Sequence, residues 1–416
     1  MNQLQIFLPC AAGVEDLLAA EVHDLTGLMG QDLLTRRGGV MARASWRDAM
    51  LLNLHSRLAQ RVLVQLSYTN YRNEQDLYRA ATDVAWEIWF TPKQSIKVEV
   101  TAQHSPLTSL NFAALKIKDA VCDRFRDRAH GVRPDVNTQW PDVRIYAHLT
   151  TDTCSLYIDT SGEPLFKRGW RENKGEAPLK ETLAAAMIAA SGWADGDDDL
   201  LPLYDPCCGS GTIAIEAAQI ACNIAPGSLR RFAFEKYIPF QQHVWDGIKQ
   251  EAAAAVVKPE LGQKPLIYGS DVAHRMVDFA QRNAERAGVA DVIEFRGGDA
   301  LQRMPPSDSP GVMLLNPPYG ERIAVAGVAA RELAVTEDGG EFFSQLATHW
   351  KKNYSGWTGW ILTPDLKLPS KMRLKESRRV PMWNGPIECR MFRFDMVKGA
   401  ARKNAGGQNG VGSPAA

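Results

Sequence analysis

The sequence lacks any long hydrophobic run. Among its 416 residues, apolar stretches such as residues 183–190 and 252–257 fall well short of the roughly 20 residues that a membrane-spanning helix needs. Residues 1–10 also lack the basic region and apolar core of a secretory signal. These absences predict a protein without a membrane span that resides in the cytoplasm.

Cysteine is scarce, and its spacing is irregular. The seven cysteines form neither C-x-x-C pairs nor the dense framework of a small disulfide-rich domain. We therefore expect no disulfides, no structural zinc and no other metal site.

Net charge is absent as well, with 48 basic and 48 acidic residues. The hydrophobic fraction of 45% and the mean hydropathy of -0.25 are ordinary for a globular protein and exclude collagen and general disorder. The charge is nevertheless uneven, because residues 350–416 hold 13 Lys or Arg against 4 Asp or Glu. This basic end is either a surface that faces nucleic acid or a solvated end, and charge alone does not separate the two.

Hydrophobic periodicity divides the chain into blocks. Residues 1–55 and 56–164 each mix strands with helices, which is typical of α+β structure. In residues 165–398 a linker and a helix at 179–191 precede alternating strands and helices, which predicts a parallel α/β sheet with helices on both faces. Its strands are predicted at residues 201–205, 266–270, 292–296, 312–315 and 359–363. Residues 399–416 are rich in Gly, Ala, Ser and Asn and predict a disordered tail.

The segment DPCCGSGT, residues 205–212, closes a predicted strand and opens a helix. Gly209 and Gly211 would let backbone amides approach a ligand closely. The G-x-G-x-x-G of nicotinamide-binding folds and the Gly-Lys-Ser/Thr of a P-loop are both missing. A short glycine-rich turn is weak evidence alone, but it predicts a cofactor site here that includes Asp205.

Two acids follow at the ends of later predicted strands. Asp271 could accept hydrogen bonds from both hydroxyls of a ribose, and Asp299 is placed for an adenine amino group. Either residue could instead cap a helix or stabilise a turn. The spacing of Asp271 after the glycine-rich turn favours the cofactor interpretation.

An apolar strand then runs directly into NPPYGER, residues 316–322. Pro317 and Pro318 restrict the backbone so that the Asn316 side chain and the Pro317 carbonyl can point into one site. Two acceptors suit an exocyclic amine with two N–H donors, and a base could stack on Tyr319, which contributes about 1–3 kcal/mol. The segment indicates methyl transfer to a base nitrogen, and a plain Asn-Pro-Pro turn is the alternative.

These segments together resemble class I S-adenosylmethionine-dependent methyltransferases of the N-P-P-Y type. FKRGWR at 166–171, APLKE at 177–181 and the two motifs above follow the order found in the bacterial 23S rRNA guanine-N2 methyltransferase family, and residues 225–251 resemble its insertion. The resemblance covers about residues 1–395. It implies a ferredoxin-like segment over 1–55, a THUMP RNA-binding domain over 56–164 and a Rossmann-like class I methyltransferase domain over 165–398.

The resemblance also implies S-adenosylmethionine as the cofactor and a guanine, removed from its stack, as the methyl acceptor. Lys180 and Glu181 would contact the methionine end of the cofactor or the lid of the site, although ordinary charges at a helix N-terminus explain them nearly as well. The other implied cofactor residues are Asp205, Gly209 and Gly211 for methionine, Asp271 for ribose and Asp299 for adenine. The implied catalytic residues are Asn316, Pro317, Pro318 and Tyr319.

The sequence departs from the family in two respects. Long members continue into a second methyltransferase domain that makes 7-methylguanine, whereas this sequence carries one such domain, so we expect only the N2 activity. Trp170 stands where the family often has Tyr and keeps an aromatic face.

The expected partner is RNA, most specifically 23S rRNA, with no obligate protein partner. Two basic strips are candidates for the contact. The first strip comprises Lys116, Lys118, Arg124, Arg126, Arg128 and Arg133, although nearby acids could equally make it a self-paired solvated face. The second strip comprises Lys371, Arg373, Lys375, Arg378 and Arg379.

Three other functions stay open from the sequence. A tRNA guanine-N2 methyltransferase and an adenine-N6 DNA methyltransferase are both compatible with N-P-P-Y, which binds an amine on a planar ring. The THUMP resemblance argues against DNA. The third alternative is a non-catalytic RNA-binding module, against which the intact Asn316, Asp271 and Gly209 argue.

Overall fold

The computed structural model describes residues 3–175, 178–195, 200–258, 266–317 and 340–397. Its helices are α1 (Glu15–Thr26), α2 (Trp46–His55), α3 (Glu74–Asp83), α4 (Leu110–Arg128), α5 (Glu181–Ser191), α6 (Thr212–Ala221), α7 (Gln242–Ala254), α8 (His274–Arg286), α9 (Gly340–Asn353) and α10 (Leu368–Met372). Its strands are β1 (Leu4–Pro9), β2 (Leu33–Arg36), β3 (Gly39–Ala44), β4 (Leu63–Asn70), β5 (Ile96–Ala102), β6 (Val143–Leu149), β7 (Thr153–Asp159), β8 (Leu203–Asp205), β9 (Ile267–Asp271), β10 (Ile293–Gly297), β11 (Val312–Leu315), β12 (Thr358–Thr363), β13 (Arg378–Asn384) and β14 (Ile387–Asp395).

The first sheet has the strand order β2-β3-β1-β4-β7-β6-β5. Strand β1 pairs with β4 through Ile6 and Val64, so strands from residues 1–55 and 56–164 share one sheet. Alternate residues of β6 are buried, as expected for a strand with one face on a core. The expected α+β character is confirmed.

Local signals start the helices of this region. Ser45 and Asp48 form a reciprocal capping box at α2, and Asn73 and Asp76 form another at α3. Ser109 caps α4 by accepting a hydrogen bond from the Phe112 amide.

The second sheet has the order β10-β9-β8-β11-β12-β14-β13. The five strands from β10 to β12 are parallel, and the predicted Rossmann-like α/β fold is confirmed. The sheet also has an antiparallel edge that the sequence did not predict, because β14 runs antiparallel to both β12 and β13. Charged residues and Pro381 obscure β13 in the sequence, and these are the features that protect an edge strand from further pairing.

The linker between the two sheets is anchored by a buried ion pair. The Arg168 side chain is 1% exposed and that of Glu216 is fully buried, with 3.0 Å from Arg168 Nε to Glu216 Oε1. A second Arg168 nitrogen, Nη2, donates to the Arg57 carbonyl at 2.8 Å. Because Glu216 lies on α6 and Arg57 belongs to the first-sheet region, Arg168 ties both parts of the molecule together.

The segment that precedes α7 also crosses the boundary between the two parts. Arg230 donates hydrogen bonds to four carbonyl oxygens between Ser161 and Lys167. The Gly227 amide donates to the Leu54 carbonyl at 2.9 Å. One apolar core therefore runs continuously from the first sheet into the second. Within the ranges given above, no helix combines the length and apolarity needed to cross a membrane.

We expect Arg168→Ala to destabilise the protein by about 3–5 kcal/mol, because it leaves the Glu216 carboxylate buried without its bidentate partner. The control is Arg126→Ala, which breaks an exposed pair with Asp123 and costs under about 1 kcal/mol. Urea unfolding measures both variants. Equal unfolding midpoints would contradict the anchoring role of Arg168.

Candidate active site at the carboxyl edge of the second sheet

The parallel strands bring most of the predicted site residues to one edge. Strand pairing places Asp205 level with Gly269, and Gly297 level with Asp271. Asn316 directly follows β11, and β11 lies between β8 and β12 in the sheet. This is the point at which the strand order reverses, where ligands of open α/β sheets bind at the carboxyl ends of the strands.

The two glycines of the glycine-rich turn differ in their surroundings. Gly211 has φ of 88°, and a Cβ there would lie 3.0 Å from Ala280 Cβ and 3.1 Å from Phe295 Cζ. Packing and backbone conformation therefore demand glycine at 211 without any ligand. Gly209 has φ of 53°, and a Cβ there would meet no described atom within 4 Å, so its face of the turn is open.

Hydrogen bonds hold the turn on both sides. The Gly209 amide donates to Asp271 Oδ2 at 3.0 Å, and the Cys208 amide donates to the Ser270 carbonyl at 2.9 Å. On the other side the Asn283 side chain donates to the Ser210 carbonyl at 3.0 Å. These hydrogen bonds fix the backbone of the turn on either side of Gly209.

Asp205 is 2% exposed and accepts a hydrogen bond from the Cys207 amide. Burial, with a smaller contribution from the Asp271 charge, raises the pKa of Asp205 to about 8. Burial also raises the pKa of Asp271, whose two oxygens accept from the Gly209 and Ala273 amides. Asp271 therefore organises the turn whether or not it also binds a ribose.

Asp299 joins the same cluster. Its Oδ1 accepts a hydrogen bond from the Leu301 amide at 2.9 Å, which is the turn role that the sequence left open. Burial raises the pKa of the Cys207 thiol, and the charges of Asp205, Asp271 and Asp299 raise it further. All three acids therefore lie close enough to Cys207 for their charges to act on its thiol.

Asp205 is buried and Asp271 and Asp299 are half-buried, and all three differ from the paired carboxylates of this protein. Asp159 is paired with Arg61, Glu216 with Arg168, and Glu181 with Arg171. Within the described ranges, no Lys or Arg lies at ion-pair distance from Asp205, Asp271 or Asp299. Burying carboxylates without cations is costly. The edge therefore fits a ligand that carries positive charge and several N–H or O–H donors.

Asn316 supplies the other half of the site. Its Oδ1 is buried and, among the described residues, has no hydrogen-bond partner. A buried acceptor without a donor costs about 1–3 kcal/mol, so a ligand N–H would stabilise this position. Pro317 is buried beside it. Pro318 and Tyr319 lie outside the described residues, and their contribution stays a prediction.

Lys180 and Glu181 make contacts with other side chains of the protein, and their role at the cofactor stays a prediction. Glu181 is 3% exposed, and its Oε1 accepts from Arg171 Nε at 2.7 Å. Lys180 Nζ lies 5.2 Å from the centroid of the Phe166 ring. Lys180 also lines a cavity of about 150 Å³ whose other lining residues include Cys10 and Trp383 but none of the glycine-rich turn.

Sequence reasoning gave Arg171 no role. Besides Glu181, its guanidinium donates to Ser210 Oγ at 2.9 Å and to Thr212 Oγ1 at 2.6 Å. Among the described residues, Arg171 thus links Glu181 to the glycine-rich turn and to the start of α6. No local sequence signal reveals this link, because the bonded residues are separated by up to 41 positions.

Three family models match the chain in the order that the sequence predicts. An RlmL ferredoxin-like domain matches residues 5–63, a THUMP domain matches 71–159, and an RMKL-like methyltransferase domain matches 168–393. The last match covers more than half of the chain. The predicted division at residues 55, 164 and 398 agrees in order with these ranges and stays a proposal in its boundaries.

A curated relative, ribosomal RNA large subunit methyltransferase K/L of Psychromonas ingrahamii, is 37% identical over 388 residues. That alignment covers 93% of this chain and 49% of the relative. The chain thus spans about half the length of the curated relatives it matches.

Two solved structures share the fold over nearly their whole length. SMU.472, complexed with SAH, has a TM-score of 0.80 and 27% identity, with 95% of this chain and 98% of that chain covered. A predicted N6-adenine-specific DNA methylase from Listeria monocytogenes has a TM-score of 0.79 and 28% identity, with 95% and 96% covered. With the family match, these likenesses lead to one conclusion. The chain belongs to the RMKL-like methyltransferase family.

Proposed function

We propose that this chain transfers a methyl group from S-adenosylmethionine to the exocyclic N2 amine of a guanine in 23S rRNA. The observation that carries the proposal is Asn316 Oδ1, which is buried and has no hydrogen-bond partner among the described residues, at the same sheet edge as Asp205. The names of the curated relatives, which are methyltransferases of large-subunit ribosomal RNA, support the choice of substrate.

The residues at the carboxyl edge fit S-adenosylmethionine. Asp205 and the open face of Gly209 would hold its methionine portion, whose ammonium group compensates the buried acid. Asp271 and Asp299 each retain free lone pairs for ribose hydroxyls and the adenine amine, since a carboxylate accepts about four hydrogen bonds. The cofactor supplies an electrophilic methyl group on its sulfonium.

Asn316 would act on the methyl acceptor. Guanine N2 is a poor nucleophile because its lone pair is delocalised into the ring. Hydrogen bonds from N2 to Asn316 Oδ1 and the Pro317 carbonyl would localise that lone pair and aim it at the methyl group, with Tyr319 stacking on the base. Such positioning contributes about 7–11 kcal/mol in favourable cases. The amine proton becomes acidic once the nitrogen is alkylated, so a general base is not needed.

The THUMP and ferredoxin-like matches support RNA as the partner of the first-sheet region. A substrate in the ribosome implies the cytoplasm as the site of action. The same amine site could hold adenine N6, and the name of the Listeria structure points to that chemistry. The rRNA-methylating relatives, which are more similar in sequence, favour ribosomal RNA over DNA as the substrate.

Nucleoside analysis tests the substrate. The purified protein and labelled S-adenosylmethionine are incubated separately with undermethylated 23S rRNA, bulk tRNA and duplex DNA. We expect N2-methylguanosine from 23S rRNA alone, because 93% of the chain aligns with a methyltransferase of large-subunit ribosomal RNA. The same product from tRNA alone would transfer the activity to tRNA, and N6-methyladenine would contradict the guanine assignment.

Asn316→Ala should lower kcat by on the order of 10²-fold or more, since it removes an interaction that strengthens as the nitrogen gains positive charge. Cofactor affinity should stay unchanged, because Asn316 is assigned to the methyl acceptor. Single-turnover kinetics and calorimetric titration measure the two quantities.

The matched control is Asn353→Ala, whose side chain bonds within α9 to His349. This variant should keep wild-type kcat. Full activity in Asn316→Ala would contradict the role given to Asn316.

A further inference from the structure

The last described segment of the chain contains more cations than its acids can neutralise. Over residues 350–397 each of the four acids forms an ion pair: Asp365 with Lys371, Glu376 with Arg379, Glu388 with Arg390 and Asp395 with Arg393. Six exposed cations have no acid at ion-pair distance in the described part of the chain: Lys351, Lys352, Lys367, Arg373, Lys375 and Arg378. We call these six residues the outer basic strip.

The outer basic strip is continuous. Lys351 Nζ donates to the Arg373 carbonyl at 2.9 Å, which joins the end of α9 to the end of α10. Lys367 precedes α10, a five-residue helix and so about 8 Å long. Arg378 opens the edge strand β13, five residues and at most about 17 Å beyond Arg373.

The outer basic strip begins at the catalytic edge. Lys367 lies four residues after Thr363, the last residue of β12. Strand β12 pairs with β11, the strand that leads into Asn316, through Ile361 and Leu315. A polyanion lying along the strip would therefore have one end beside the proposed methyl-acceptor site.

The first strip on α4 is different, because much of its charge is already neutralised. Lys118 pairs with Asp119, and Arg126 pairs with Asp123. Arg124 makes two hydrogen bonds to Glu87 and a third to the Thr82 carbonyl, which gives it a structural role. The solvated-face interpretation therefore fits three of its six cations.

We propose that the outer basic strip binds the phosphate backbone of the RNA substrate and guides the target nucleotide toward Asn316. This inference rests on the proposed RNA-methylating function. Phosphate contacts of this kind set position and affinity without reading sequence, and each one releases counterions. The strip thus adds a contact surface on the methyltransferase domain to any that the THUMP domain provides.

The test is a triple variant, Arg373→Asn, Lys375→Gln and Arg378→Gln. Asn suits position 373, where φ is 49°. Binding to a 23S rRNA transcript and to poly(U) is measured from 50 to 200 mM salt. We expect about tenfold weaker binding at low salt and a drop of about 2 in the log–log salt slope, at roughly 0.7 per lost phosphate contact on single strands.

The comparison variant removes the same charge from the first strip, through Lys116→Gln, Arg128→Gln and Arg133→Gln, and should have the smaller effect. Cofactor affinity and the unfolding midpoint of the outer-strip variant should match wild type, which shows that it is folded. Wild-type RNA affinity and salt slope in that variant would overturn the inference.

The inference and the proposed function can fail separately. Wild-type protein that binds RNA but forms no N2-methylguanosine would contradict the function, and the two triple variants would still decide the strip. Equal RNA methylation by the wild type and by the outer-strip variant, at every salt concentration, would contradict the role of the outer basic strip alone.

Discussion

The buried carboxyl group of Asp205, which has no cationic partner among the described residues, is the constraint on which the site depends. Asp205 is almost fully enclosed, and its pKa is raised to about 8. Its half-buried neighbour Asp271 holds the glycine-rich turn, because it accepts a hydrogen bond from the Gly209 amide. A positively charged ligand at this edge would favour the ionised form of Asp205. Elsewhere in the fold, buried carboxylates such as Glu216 are stabilised by an Arg partner, whereas the described residues supply none at this edge.

Two arginines of one short linker connect this edge to the rest of the molecule. Arg168 holds the middle of α6 through Glu216, and Arg171 holds its first residue, Thr212, together with Ser210 of the turn. The same linker bonds to Arg57 and Arg230, which belong to the boundary with the first sheet. A single segment therefore connects the first-sheet region to the glycine-rich turn through hydrogen bonds.

Much of the second sheet could be predicted from the sequence, because each parallel strand is a short apolar run that ends at a chemically distinctive residue. Asp205, Asp271 and Asn316 mark three such ends, and the structure places all three at one edge. The β13–β14 hairpin could not be predicted in this way, since its Arg and Pro residues read as a solvated basic segment.

The sequence also does not predict which side chains form ion pairs and hydrogen bonds with one another. Glu181 looked like a helix N-terminal charge or a cofactor contact, and its partner Arg171 was assigned nothing. Their link to Ser210 and Thr212 depends on how the linker folds back onto α6, which no local pattern encodes. Glycine at 211 also has a packing reason that the sequence does not reveal, because Ala280 and Phe295 exclude a side chain there.

The most direct test of the central claim is proton release when S-adenosylmethionine binds, measured by calorimetry in buffers of different ionisation enthalpy. With a pKa of about 8, Asp205 is largely protonated at pH 7 in the protein without cofactor. A bound ammonium favours the carboxylate, so about one proton should be released at pH 7, and this release should be lost in Asp205→Asn. Affinity should rise with pH up to about 8, above which the ammonium group of the ligand itself loses its proton. Binding without proton release at pH 7, or no binding at all, would contradict the account.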